Sequence, residues 1–154
     1  MHKRHVEHRP TKEKFFVSTY YVNKIARTFS TLGAFSGPFV NWVDDKGYVN
    51  CLVPWDFHKL SAIRLVFIAS ATENPMYMNI VTSYAKAGEA YTEHGEDVSL
   101  SINTVVNRIQ ELDIYDAVDV RTLEARDYLG VYANRNDTLP TENTSLILLG
   151  VRLR

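Results

Sequence analysis

The cleanest periodic signal in the chain runs from Val98 to Val106. Val98, Leu100, Ile102, Thr104 and Val106 alternate with Ser99, Ser101 and Asn103. Period two sends successive side chains to opposite sides of a pleated strand. The alternation returns at the C-terminus, where Ile147, Leu149, Val151 and Leu153 are expected on one face of a last strand. Residues 62–72 differ. Ile63, Leu65, Phe67 and Ala69 fall on one face, while Val66 and Ile68 join Arg64 on the other. A run apolar on nearly both faces predicts a central strand. Residues 15–22, rich in aromatic and β-branched side chains, predict another.

Two runs, 38–43 and 48–53, flank the polar tip Asp44-Asp45-Lys46-Gly47 and predict a β-hairpin. Residues 76–84 and 128–134 predict further strands. Residues 106–114 fit a helix through Val106, Ile109 and Leu112, or a strand through Leu112 and Ile114 set against Glu111 and Asp113. Their β neighbours favour the strand. The connections are expected to be irregular over 23–36, a bend or one helical turn over 54–60, and a turn at Glu73-Asn74-Pro75. A loop is expected over 85–97, a short helical turn within 115–123, and a loop tip over 134–143. Eight or so strands at roughly 8–12-residue spacing predict an all-β sandwich or barrel.

Residues 1–14 stand apart. After Met1 their only aliphatic residue is Val6, among Lys3, Arg4, Arg9, Lys12, Lys14 and three histidines. Such a segment buries too little surface to order itself, so a flexible N-terminal arm is expected, with a single domain over 15–154. Extended, the arm would reach on the order of 45 Å. Its basic residues would suit nucleic-acid phosphates. Glu7 and Glu13 dilute the charge, and no basic run exceeds two residues, which favours a protein partner.

A net charge of −1 gives the whole protein no pull toward nucleic acid or an anionic membrane. The single cysteine, Cys51, forms no internal disulfide and is expected to be a buried small hydrophobe. No run approaches the roughly eighteen apolar residues of a membrane-spanning helix. The N-terminal residues lack the apolar core of a signal peptide, so use without signal-peptide export is expected.

Candidate chemistry is sparse. A hydrolytic reading would join His58 to Asp56 and to Ser61 or Ser83, but no GxSxG elbow is present. A metal would draw on His2, His5 and His8, or on Glu93, His94, Glu96 and Asp97. Neither set has the spacing of a known site. No phosphate-binding glycine loop occurs. The expectation is a protein that is no enzyme and carries no catalytic residue, cofactor or metal.

The tail Leu123-Glu-Ala-Arg-Asp127-Tyr-Leu-Gly-Val131, followed by Leu149-Gly-Val-Arg-Leu153, resembles the end of tumour-necrosis-factor-like and complement-type globular heads. Arg126 stands where those heads have a glycine before the aspartate. A longer pattern resembles virion jelly rolls, in particular the trimeric decoration proteins of tailed-phage capsids. It comprises Val53-Pro54-x-Asp56-Phe57-x-x-Leu60, Val66-x-Ile68, Ser83-Tyr84-Ala85-x-x-Gly88-Glu89-x-Tyr91-x-x-His94, Leu112-Asp113-Ile114 and the two tail segments.

The resemblance implies a jelly-roll β-sandwich that forms a homotrimer on the outer surface of a capsid. Its partners would be itself and the major capsid protein, with neither membrane nor nucleic acid. The arm and its root, Lys3, Arg4, Arg9, Lys12, Lys14, Phe15 and Phe16, are the candidate capsid contacts. Jelly rolls host other work as well. One alternative is a carbohydrate- or receptor-binding head of a tail fibre, with Trp55, Tyr91 and His94 as ligand contacts. Another is a small-virus capsid subunit.

Overall fold

The computed structural model describes residues 12–18, 20–22, 30–40, 45–57, 60–118, 122–136 and 144–154. The strands are β1 (Lys14–Val17), β2 (Tyr20–Val22), β3 (Ser30–Leu32), β4 (Phe35–Gly37), β5 (Phe39–Val40) and β6 (Lys46–Leu52), then β7 (Ile63–Ala69), β8 (Glu73–Ala85), β9 (His94–Thr104), β10 (Ile109–Asp113), β11 (Tyr128–Arg135) and β12 (Leu146–Leu153). One 3₁₀ turn covers Tyr115–Ala117, within the segment where a helical turn is predicted.

The first sheet has the order β1-β12-β7-β10, with β5 beside the start of β12. The second has the order β2-β6-β11-β8-β9, and β3 and β4 form a separate hairpin. All pairings between these strands are antiparallel. Number β1 and β6 to β12 as 1 to 8, and the sheets read 1-8-3-6 and 2-7-4-5. That is the jelly-roll order, in which the chain crosses between sheets and closes beside where it began. The core lies between the sheets, with Leu65, Phe67 and Val151 of the first facing Met78, Ile80 and Leu129 of the second.

β7 is central as predicted, paired with β12 on one side and β10 on the other. Four sequence expectations are corrected. The run 15–22 is two strands, β1 on β12 and β2 on β6, because each half joins the edge of a different sheet. Ser18 ends the first, its N–H donating to the Leu149 carbonyl at 3.0 Å. The predicted 38–53 hairpin does not form. β5 pairs with β12, whereas β6 pairs with β11 and β2, so Val40 and Val49 enter the core from opposite sheets.

Glu73-Asn74-Pro75 is no turn but the start of β8. The proline sits where the ladder to β9 shifts register, and so removes no regular hydrogen bond. Lastly, β12 does not keep one face. Its register on β7 shifts between Leu148 and Gly150. Leu146, Leu148, Val151 and Leu153 therefore enter the core, while Ile147 and Leu149 face out. A β-bulge inserts one residue and reverses the alternation beyond it.

The bulge depends on Gly150, where a Cβ would stand 2.1 Å from the Phe16 carbonyl oxygen of β1. The turn before β11 is strained in the opposite sense. Arg126 holds φ +71°, the left-handed region in which glycine is at home. It is kept there by its N–H to the Val53 carbonyl at 2.8 Å and by the Asp127 carboxylate, which accepts the Glu124 N–H at 2.6 Å. Urea unfolding checks both positions. Gly150→Ala is expected to lower stability by about 1–3 kcal/mol. Arg126→Gly is expected to raise it by about 0.5–1 kcal/mol, the relieved strain exceeding the added freedom of the unfolded chain.

Candidate assembly face

The two sheets present unlike outer surfaces. On the second, Asn79, Ser99 and Asn136 form a hydrogen-bonded polar cluster: Ser99 Oγ donates to Asn79 Oδ1 at 2.7 Å, and Asn136 Nδ2 reaches both at 3.0 Å. Beside them Tyr48 and Tyr132 pack with ring centroids 5.3 Å apart, and the Lys46 ammonium lies 4.7 Å over the Tyr132 ring. This part of the face is polar, while Leu52 and Tyr128, neighbours across β6 and β11, are exposed farther along it.

The outer face of the first sheet differs. Val66 and Ile68 of β7 meet Ile147 and Leu149 of β12 in an apolar cluster of their own, with Phe39 against it. Register extends the band at both edges: Ile109 of β10 is opposite Ile68, and Val17 of β1 is opposite Gly150. Ile109 is 53% exposed, Val17 58% and Phe15 48%. Leu32 of the β3–β4 hairpin borders a recess of about 160 Å³ with Phe39, Ile68 and Ile147. Val66, Ile68, Ile147 and Leu149 are themselves buried within the single chain, so the exposed apolar surface consists of the side chains around them, and exposed apolar surface of this kind marks a candidate interaction site.

Charge is confined to one end of the band. Glu111 accepts from Arg64 Nη1 at 3.1 Å and from Arg152 Nη2 at 2.8 Å, and Arg152 Nη1 lies 3.3 Å from Glu13. Half-exposed pairs of this sort add little to stability. An apolar centre with a charged rim is the ordinary anatomy of a protein–protein interface.

Of the predicted arm contacts, Lys3, Arg4 and Arg9 lie outside the described residues. Lys12 pairs with Asp56 at 2.6 Å. Lys14, Phe15 and Phe16 belong to β1, with Phe15 on the apolar face and Phe16 packed against the core. The predicted ligand contacts do not converge on one site. Trp55 is exposed on the turn after β6, and Tyr91 is exposed in the loop 86–93. His94, expected in a loop, begins β9 instead, its ring stacked on Tyr84 at 4.8 Å.

Tyr91 lines an open cleft with Tyr128 and Gly130 of β11 and with Lys86 and Glu89. Tyr128 and Gly130 have no ligand role in the sequence expectations, whereas Lys86 and Glu89 lie in the 85–97 loop expected to carry ligand contacts in the carbohydrate-binding alternative. Lys86 and Glu124 form an ion pair at the cleft. Their hydrogen bond and mutual charge raise the pKa of the amine and lower that of the carboxyl.

The hydrolytic set lies only partly within the described residues. Ser61 Oγ donates to the Arg154 carbonyl at 3.1 Å, Asp56 is engaged by Lys12, and His58 lies outside them. No group of three or more His, Cys, Asp or Glu residues capable of holding a metal occurs among the described residues. His2, His5 and His8 lie outside them. No helix of the described residues is long and apolar enough to cross a membrane.

Cys51 is buried on β6, and desolvation pushes its thiol up to about 12 from 9.0. The unfolded chain therefore ionises this thiol first. Its contribution is intact below pH 9 and is lost as pH rises from 9 toward 12. Cys51→Val is expected to flatten that limb of the stability–pH profile in urea unfolding. In the native wild type, Ellman's reagent should reach the thiol only after denaturant is added. No protein-family model matches this sequence, and no curated protein matches it.

Proposed function

We propose that the protein is a non-enzymatic structural component of a virion: a jelly roll that closes into a homotrimer and decorates or cements the outer surface of a capsid shell. One observation carries the reading. On the outer face of the first sheet, around the buried cluster of Val66, Ile68, Ile147 and Leu149, the apolar side chains of Ile109, Val17 and Phe15 stay exposed. Leaving Ile109, Val17 and Phe15 in water forgoes burial worth roughly 25 cal/mol for each Å² of apolar surface. Copies of the same chain packed around an axis recover that energy. A heterologous contact between different edges of the face closes into a ring when the rotation fits, and three copies make the smallest ring of that kind.

Further support comes from the resemblance of 53–60, 83–94 and the two tail segments to trimeric decoration proteins. The left-handed backbone at Arg126, where the related heads have a glycine, fits the same turn. In this reading the segment before Lys12 supplies the capsid contacts through Lys3, Arg4 and Arg9. β1 anchors that segment to β12. Three such segments on one trimer bind with avidity far above that of one.

Light scattering is expected to give three times the 17.6 kDa chain mass. Val17→Lys and Ile109→Lys, both at exposed positions, are expected to return it to one chain mass with an unchanged far-ultraviolet circular dichroism spectrum. Deleting residues 1–11 should leave the trimer whole and abolish co-sedimentation with shells of the capsid protein from the same genome. A single-chain mass for the wild type removes the trimer. Undiminished co-sedimentation after the deletion removes the role of the arm.

A further inference from the structure

Gly130 lies in the interior of β11, paired with Asn50 of β6 and Ser83 of β8 in an unbroken register. Glycine weakens a strand interior, so its presence there needs a cause. The other six glycines have one. Gly33 and Gly88 hold positive φ. At Gly37, Gly47, Gly95 and Gly150 a Cβ would come within 2.0, 2.5, 2.7 and 2.1 Å of a neighbouring atom. Gly130 has neither a left-handed φ nor a crowded Cβ, whose nearest neighbour would be the Ser83 carbonyl at 3.8 Å. The fold has room for a side chain at this position.

What the missing side chain leaves open is a cleft of about 280 Å³. Gly130 and Ala85 lie along its sheet floor. Tyr91 and Tyr128 line it with rings 81% and 57% exposed, and Lys86 and Glu89 add polar groups at the rim. Two exposed tyrosines over a floor of small residues suit a flat, amphipathic ligand. The rings take its C–H face, and the phenol hydroxyls take its polar edge. Charge in the cleft is spoken for. Lys86 is paired with Glu124, and the Glu89 carboxylate accepts the Lys86 backbone N–H at 2.8 Å. The site therefore has no unbalanced cation to select an anion.

We infer that this cleft binds a neutral saccharide, one sugar ring seated over Gly130 and flanked by Tyr91 and Tyr128. The cleft is on the outer side of the second sheet, opposite the apolar face of the first. The inference therefore does not rest on the trimer, and the two fail separately.

The test is saturation-transfer NMR on the full chain with maltohexaose, cellohexaose and chitohexaose as probes. At least one is expected to show transfer to its ring protons. Gly130→Val, which fills the cleft, and Tyr91→Ala, which removes a wall, are each expected to weaken that binding about tenfold or more. Gly130→Val should also unfold at a urea concentration no lower than the wild type, and both variants should keep the wild-type mass in solution. Silence from all three probes overturns the inference, as does binding that survives either substitution. A Gly130→Val protein less stable than the wild type overturns the premise that the fold has room there.

Discussion

Everything in this molecule hangs on the seating of β12. The strand lies between β1 and β5 on one side and β7 on the other, and its buried residues close the core against the second sheet. β1 has β12 as its sheet neighbour, and Phe16 of β1 packs against the core. The bulge at Leu149–Gly150 is what lets one strand do two jobs. Before it, Leu146 and Leu148 face inward and Ile147 and Leu149 outward; beyond it, the phase reverses and Val151 and Leu153 face inward. The same strand that completes the core thus lays apolar residues on the outside.

That outside surface distinguishes this sandwich from a self-contained one. A sheet with one solvated face normally alternates apolar with polar. The second sheet does so, with its Asn79–Ser99–Asn136 cluster facing water. The first does so only at one end, where Arg64, Arg152, Glu111 and Glu13 are cross-linked. In the proposed reading this asymmetry gives the two sheets different neighbours: solvent or a small ligand for the second, protein for the first.

Much of this was legible in the sequence, and the failures have physical causes. The central place of β7 could be read because a strand covered on both faces must be apolar on both, and 63–69 is. The period-two run after Val98 survived as β9 for the same kind of reason. The hairpin expected at 44–47 failed because turn chemistry is local while pairing is decided by the whole sheet. Lys46 and Gly47 supply turn residues, yet β6 finds its partners in β2 and β11. The phase of β12 was not readable, since an unbroken Ile147-Leu148-Leu149 run offers both faces equally and the close approach of β1 at Gly150 decides. Of the cleft, the 85–97 loop was legible, with Tyr91 as an aromatic among its polar residues. Tyr128 and Gly130 looked like ordinary members of a strand, and their shared outward face became visible only with the register of β11.

The proposed assembly requires that Ile109 and Val17, exposed beside the buried cluster on the first sheet, be covered in solution. Methyl-labelled protein relaxed by a neutral gadolinium chelate reads this directly. The Ile109 and Val17 methyls, half exposed in a single chain, should be shielded as well as buried methyls are. Leu52, 44% exposed on the second sheet, should be strongly relaxed. Relaxation of Ile109 and Val17 to the level of Leu52 would mean that these side chains stand open to water, and would contradict the assembly.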